Sequence, residues 1–273
     1  MSNQRKTFPS AAEDVSTSHR APETAQTRSA SYRLAYEDVD FLQREDLRAQ
    51  RLELELLKAE LTFKDHSIDR TVVVFGSARS PAPDGADADK RAEYRRDYEE
   101  ACNFASLIAK SSAAAINPFY VMTGGGPGIM EAANRGAYEA GGKTIGLNIV
   151  LPFEQIPNAY ITPDLSFQFH YFAIRKMHFL MRAAALVCFP GGFGTLDELF
   201  ETLTLIQTGK VARMPVLLFR KAWWRRMINF EAMAQEGVIS PSDLDIFKYV
   251  ETAEDAYAHI LSFYTDCGPA FPL

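Results

Sequence analysis

Cys188-Phe189-Pro190-Gly191-Gly192-Phe193-Gly194-Thr195-Leu196-Asp197-Glu198-Leu199-Phe200-Glu201 is the stretch that decides the fold. The apolar run 183–189 leads into it and a helical pattern leads out as far as Gln207. The order is therefore buried strand, glycine turn, helix start. Three glycines let backbone N–H groups crowd together where a side chain would block an anion. Thr195 is expected near the helix N-cap, where unpaired amides and the helix dipole favour a phosphate. Glu198, three residues on, has two readings. It is a capping-box partner of Thr195, or it is a carboxylate acting on a phosphorylated ligand.

Upstream of this centre, residues 71–75 (TVVVF) form a β-branched strand that empties into Gly76-Ser77-Ala78-Arg79-Ser80. A loop through Pro81, Pro83, Asp84 and Gly85 and a helix over 87–111 are expected next. A second strand, 118–123, empties into Gly124-Gly125-Gly126-Pro127-Gly128, and a helix over 129–140 is closed by Gly141-Gly142. Residues 143–150 give a third strand. A proline-interrupted stretch and a short apolar segment, 165–169, precede a helix over 171–184 that carries Arg175, Lys176, His178 and Arg182. Downstream, 214–219 and 246–250 read as strands, and 223–235 and 253–264 as helices. Strands and helices alternating at this spacing imply right-handed βαβ units. The expected fold is α/β: one Rossmann-like, doubly wound parallel sheet with helices on both faces.

Residues 69–273 are read as this nucleotide-binding catalytic domain. Residues 1–31 are rich in Ser, Thr, Ala, Pro and Arg without apolar periodicity, and are expected to be a disordered tail. Residues 32–68 form an amphipathic helical extension, read either as packing on the outside of the sheet or as a lid or subunit contact.

The chain has 273 residues, 47% of them hydrophobic and 23% charged, enough for a substantial core. A net charge of −6 argues against nucleic acid as main partner, because counterion release needs a basic surface. No apolar run reaches the roughly 18 residues of a membrane span, and the N-terminus lacks a signal-peptide core. Cys102, Cys188 and Cys267 are far apart and without metal-like spacing, so they read as reduced thiols of a cytoplasmic protein. No metal or other cofactor is expected.

In a doubly wound sheet, ligands bind at the carboxyl ends of strands where strand order reverses. Three such ends carry loops made for close backbone approach: Gly76 with Ser77, Gly124 to Gly128, and Gly191 to Thr195. Together they point to a phosphate-bearing ligand. The spacings of the dinucleotide fingerprint and of the P-loop are both missing, so NAD and P-loop ATPase chemistry are not expected. Arg175 is read either as a clamp for a phosphate or ligand hydroxyl, or as a solvated face residue. His170 and His178 read as structural or rim residues, Cys188 as a strand interior, and Trp223 and Trp224 as one core and one partly exposed residue.

The motif Pro190-Gly191-Gly192-Phe193-Gly194-Thr195-Leu196-Asp197-Glu198 resembles the P-G-G-x-G-T-x-x-E signature of the LOG family, cytokinin riboside 5′-monophosphate phosphoribohydrolases long labelled lysine decarboxylases. Arg175-Lys176 stands at that family's spacing upstream, and Gly124-Gly125-Gly126-Pro127-Gly128-Ile129-Met130 resembles its second glycine loop. Two features depart from the short plant-type enzymes and look more like the longer bacterial branch. These are Glu131 in place of a glycine and the long N-terminal extension.

The resemblance implies hydrolysis of the N-glycosidic bond of a nucleoside 5′-monophosphate, AMP or a cytokinin riboside 5′-monophosphate, to free base and ribose 5-phosphate. It makes Glu198 the catalytic carboxylate and Arg175 its partner. Gly191, Gly192, Gly194 and Thr195 would hold the phosphate. Lys176, Gly76, Ser77, Gly124, Gly125, Gly126 and Met130 would complete the substrate site. It also implies a homodimer or larger homo-oligomer. The same fold occurs in molybdenum-cofactor carrier proteins, so a non-catalytic nucleotide or cofactor carrier is the alternative. The decarboxylase label is not adopted, because no lysine here has a recognisable pyridoxal phosphate setting.

Overall fold

The computed structural model describes residues 8–80, 82, 92–113, 115–152 and 156–266. The first seven residues of the expected tail, the loop residues Pro81, Pro83, Asp84 and Gly85, and the expected helix start at Asp87 lie outside the described residues. Contacts divide the chain into two units, Met1–Leu54 and Glu55–Leu273. In the first unit, helix α1 (Ala11–Ser18) forms within the stretch read as a tail. Ser10 and Glu13 close its N-terminus as a capping box, and none of its residues is buried. Local capping, rather than a core, therefore accounts for it. Helix α2 (Val39–Leu42) follows, capped by Asp38, and then α3 (Arg48–Asp65), inside which the unit boundary falls.

Among the described residues, the second unit holds seven parallel strands: β1 (Thr71–Phe75), β2 (Tyr120–Thr123), β3 (Thr144–Ile149), β4 (Ser166–Phe169), β5 (Ala183–Cys188), β6 (Val216–Phe219) and β7 (Phe247–Val250). Their order is β4-β3-β2-β1-β5-β6-β7, so the winding reverses between β1 and β5. Registers Val73↔Met122 and Phe75↔Cys188 bring the ends of β1, β2 and β5 level. The glycine loops that follow these strands therefore meet at the switch point.

Alternation along the strands feeds two cores. Val72 and Val74 pack with α4 (Ala92–Ser112), α5 (Ile129–Glu139) and α10 (Ala253–Asp266). Val73 and Phe75 pack on the opposite face, where α6 (Phe172–Met181), α7 (Phe193–Gln207), α8 (Lys221–Met227) and α9 (Phe230–Gln235) lie. Ala59 and Phe63 of α3 are buried in this second core, so this part of the extension packs against the sheet. The α/β class and the helices on both faces are as expected.

Two local expectations are corrected. The single helix over 223–235 is two helices, because Ile228 is extended and Asn229 caps α9 by accepting from the Ala232 amide at 2.9 Å. Trp223 and Trp224 are both buried, edge to face with ring centroids 4.8 Å apart, rather than one buried and one partly exposed.

Candidate active site

Ser77 ties the three glycine loops together. Its amide donates to the Pro190 carbonyl at 3.0 Å, its carbonyl accepts from the Ile129 amide at 3.1 Å, and its hydroxyl accepts from the Arg79 amide at 3.0 Å. Gly128 has φ of +70°, and a side chain there would collide with the Ser77 carbonyl. Glycine is thus required at the crossing of the first two loops. A Cβ on Gly76 would likewise stand 2.6 Å from Ile129.

The second loop rests on a polar network that the sequence reading missed. Thr123 donates to Asn134 Oδ1 at 2.7 Å and accepts from the Gly125 amide at 3.0 Å. Asn158 Nδ2 donates to Asn134 Oδ1 at 2.9 Å and to the Gly126 carbonyl at 3.1 Å. Thr123 and Asn134 are fully buried, where unpaired polar groups would be costly. A threonine ending an apolar strand and an asparagine on an alanine-rich helix were the available signals.

The third loop corrects the expected cap. Helix α7 begins at Phe193 with Gly192 as N-cap, so Thr195 is its third residue, and the Thr195 amide bonds back to the Gly192 carbonyl at 3.0 Å. Glu198 lies one turn deeper and cannot close a capping box with Thr195, since that pairing joins an N-cap to the third helical residue. The Thr195 side chain folds under the loop, against Gly191, and is buried. Gly192 and Gly194 are exposed and border open space.

Beneath the loop, Lys176 of α6 meets three carboxylates of α7. Its Nζ is 2.7 Å from Glu201, 3.0 Å from Asp197 and 3.9 Å from Glu198. Glu198 is only 5% exposed, and burial pushes its carboxyl up to about 7. The Lys176 and Arg175 charges pull it down, while Glu201 and Asp197 push it further up. Burial works against the Lys176 charge, but bonds to Glu201 and Asp197 and the field of Glu198 outweigh it and raise its pKa. Cys188 is buried at the end of β5, and burial pushes its thiol up, as suits a strand interior.

Arg175 faces the second loop. Its Nε donates to the Leu147 carbonyl at 2.7 Å and its guanidinium carbon lies 5.0 Å from the Phe179 ring centre. A Cβ on Gly124 would stand 2.7 Å from Arg175 Nη2 and 2.9 Å from Met130 Sδ, so these three residues meet. Burial lowers the Arg175 pKa and the Glu198 charge opposes that shift. Among the described residues, Lys176 rather than Arg175 is the cation within 4 Å of Glu198. Glu131 accepts from the Tyr98 hydroxyl at 3.0 Å, on α4. His178 is buried and His170 exposed, as structural and rim residues should be. A carboxyl titrating near neutrality can hold or release a proton at physiological pH, which suits acid–base work.

A parallel sheet with glycine loops and a buried carboxylate at its switch point defines the class: a Rossmann-like α/β protein. Within that class, a family model described as "Possible lysine decarboxylase" matches residues 130–260. The chain is 29% identical over 147 residues to a probable cytokinin riboside 5′-monophosphate phosphoribohydrolase, LOGL3, of Oryza sativa subsp. japonica, covering 50% of this chain and 64% of that protein. It is 27% identical over 138 residues to the cytokinin riboside 5′-monophosphate phosphoribohydrolase LOG3 of Arabidopsis thaliana, covering 50% of this chain and 63% of that one. The chain thus spans less than two thirds of the length of these relatives. A solved structure, TM1055, aligns with a TM-score of 0.48 at 23% identity, over 71% of this chain and 99% of that one. The resemblance to the LOG family read from the glycine motifs is borne out. No helix among the described residues is long and apolar enough to cross a membrane.

Proposed function

We propose that this protein hydrolyses the N-glycosidic bond of a nucleoside 5′-monophosphate, releasing the free base and ribose 5-phosphate. The observation that carries this reading is Glu198, buried beside Lys176 under a glycine loop, with its carboxyl pushed up to about 7. Breaking the C1′–N bond sends the bonding pair to the base and develops positive charge on the ribose ring. Glu198 as carboxylate stabilises that charge and takes a proton from the water whose oxygen bonds to C1′. The departing base takes its proton from solvent, so that one water is consumed for each bond broken.

Gly191, Gly192, Gly194 and Thr195 hold the 5′-phosphate at the start of α7. Arg175, Gly124 and Met130, which meet in space, border the ribose and base together with Gly76, Ser77, Gly125 and Gly126. Lys176 keeps its place among the site residues by holding Asp197 and Glu201 in check beside Glu198. The names of the relatives support a cytokinin riboside 5′-monophosphate, such as N6-prenylated AMP, as substrate; AMP is the other candidate, and the unpaired thiols of Cys102 and Cys188 support a cytoplasmic setting. The carrier alternative is weaker on physical grounds, because a buried carboxylate beside an anion repels it unless it serves a reaction. We also expect self-association, to be read by sedimentation.

The test is product analysis. The full chain is incubated with a panel of nucleoside 5′-monophosphates, N6-prenylated AMP included, and free base is measured by chromatography. Base release from at least one nucleotide is expected; none from any of them would end the hydrolase reading.

A further inference from the structure

Helix α6 carries Arg175 and Lys176, yet its own sequence provides little to close its N-terminus. Its N-cap, Tyr171, makes no side-chain cap bond, and its first turn contains no acid. Helix α3 supplies both. One carboxylate oxygen of Glu55 accepts from the His170 amide at 2.8 Å, and the other accepts from the Tyr171 amide at 3.1 Å. A negative charge at that place also complements the positive end of the α6 dipole.

Five residues further along α3, Glu60 holds the other end of α6. Arg182, the C-cap of α6, donates to both oxygens of Glu60, with Nη2 2.9 Å from Oε2. Glu60 Oε1 also lies 3.4 Å from Nδ1 of the fully buried His178. The His178 ring packs against Phe63 of α3 and Phe169 of β4, at centroid distances of 6.1 Å and 5.5 Å. The link from this grip to the reactive groups is one hydrogen bond long. Tyr171, whose amide Glu55 holds, accepts from the Arg175 amide at 3.2 Å.

We infer that Glu55 and Glu60 are positioning residues: through them α3 fixes where α6 lies along its axis, and so sets Arg175 and Lys176 against Glu198. Neither acid touches the reacting atoms. The effect is large because α6 advances only about 1.5 Å per residue. A misplacement of about 1 Å at a catalytic centre costs on the order of 100-fold in rate. Lys176 reaches Glu198 at 3.9 Å, so a small retreat of α6 weakens its field at that carboxyl while Asp197 and Glu201 remain on α7. This part of the extension, expected to be sheet packing or a lid or subunit contact, is a brace for one helix of the site.

The rate readout of this inference rests on the proposed hydrolase reaction, so the experiment includes two readouts that need no turnover. Glu55→Ala, Glu55→Gln and Glu60→Gln are made in the full chain. Amide exchange over residues 170–176 and the titration of the Glu198 carboxyl by carbon NMR are followed beside kcat, KM and Tm. Glu55→Ala is expected to speed exchange over 170–176 about tenfold, because the His170 and Tyr171 amides lose their acceptor. It should also raise the Glu198 titration midpoint, because its nearest cation recedes. In the assay, kcat should fall about tenfold with KM within twofold. Glu55→Gln, which keeps one acceptor oxygen, should fall between Ala and the parent, and it supplies the same comparison if the Ala variant does not fold.

Unchanged exchange and an unchanged Glu198 midpoint, with only Tm lowered, would overturn the positioning role. If the parent chain releases no base from any nucleotide, the hydrolase reading fails, while exchange and titration still decide the role of Glu55 and Glu60.

Discussion

The Nζ of Lys176 stands 3.9 Å from Oε2 of Glu198, but 2.7 Å from Glu201 and 3.0 Å from Asp197. One lysine is thus shared among three carboxylates, and the most buried of the three has the longest contact. Asp197 is well exposed and its charge is solvated, whereas Glu198 is not. Burial therefore dominates at Glu198 and places its carboxyl at about 7 instead of the ordinary 4.5. A shift of that size corresponds to on the order of 3 kcal/mol held against the charged form.

That penalty should be visible in stability. The folded pKa of Glu198 lies above the unfolded one, so between about pH 4.5 and pH 7 the unfolded chain gives up a proton that the folded chain keeps. The contribution of Glu198 to stability is fully present below that window, is lost as pH rises through it, and stays lost above it. Glu198→Gln removes the penalty. Its Tm at pH 8 should exceed that of the parent by roughly 5 °C, and the gain should shrink as pH falls toward 4.5. Thermal unfolding across this range checks it, and equal Tm values at pH 8 would contradict a strained carboxylate.

Activity should follow the same group with its own sign. In the proposed mechanism the working form is the carboxylate, so kcat/KM should fall as pH drops below about 7. The Lys176 charge lowers the Glu198 pKa, so Lys176→Met should move this acid limb upward by about one pH unit. The pH profile of base release from AMP measures both. A limb that stays in place would show that Lys176 does not tune Glu198.

How much of this was legible in the chain depends on the range of the interaction. TVVVF before Gly76 and the apolar run before Gly191 mark strands by local composition, and the glycines mark their ends, so the sheet and its loops could be read directly. The helix start at Phe193, two residues ahead of the expected Thr195 cap, could not. Glycine is a permissible N-cap, and Ser/Thr preference misleads when a threonine folds inward instead. The engagement of Lys176 with three acids depends on α6 meeting α7, and the brace of Glu55 on Tyr171 spans 116 positions. Such pairings leave no periodicity in the sequence. The Thr123–Asn134–Asn158 network was hidden for the same reason.

The glycines of the third loop divide into two kinds. A methyl on Gly191 would run into the Thr195 side chain, so Gly191→Ala should cost about 1–3 kcal/mol of stability. A methyl on Gly192 or Gly194 meets nothing in the protein, so those alanine variants should keep the parent Tm. If the loop holds a phosphate, they should still weaken nucleotide monophosphate binding about tenfold or more, because the methyl occupies the anion's approach. Calorimetric titration with AMP beside thermal unfolding separates the two kinds. Parent-like affinity in both Gly192→Ala and Gly194→Ala would place the phosphate elsewhere.

The proposed function depends above all on Glu198 performing the chemistry and not merely supporting the fold. Its most direct test is a comparison of parent and Glu198→Gln for single-turnover base release and for binding of the same nucleotide. The two proteins differ by one oxygen-for-NH2 exchange at a buried site. Release from Glu198→Gln should fall by about 100-fold or more while the dissociation constant stays within a few-fold. Release from Glu198→Gln at the parent rate, with the nucleotide bound equally well, would contradict it.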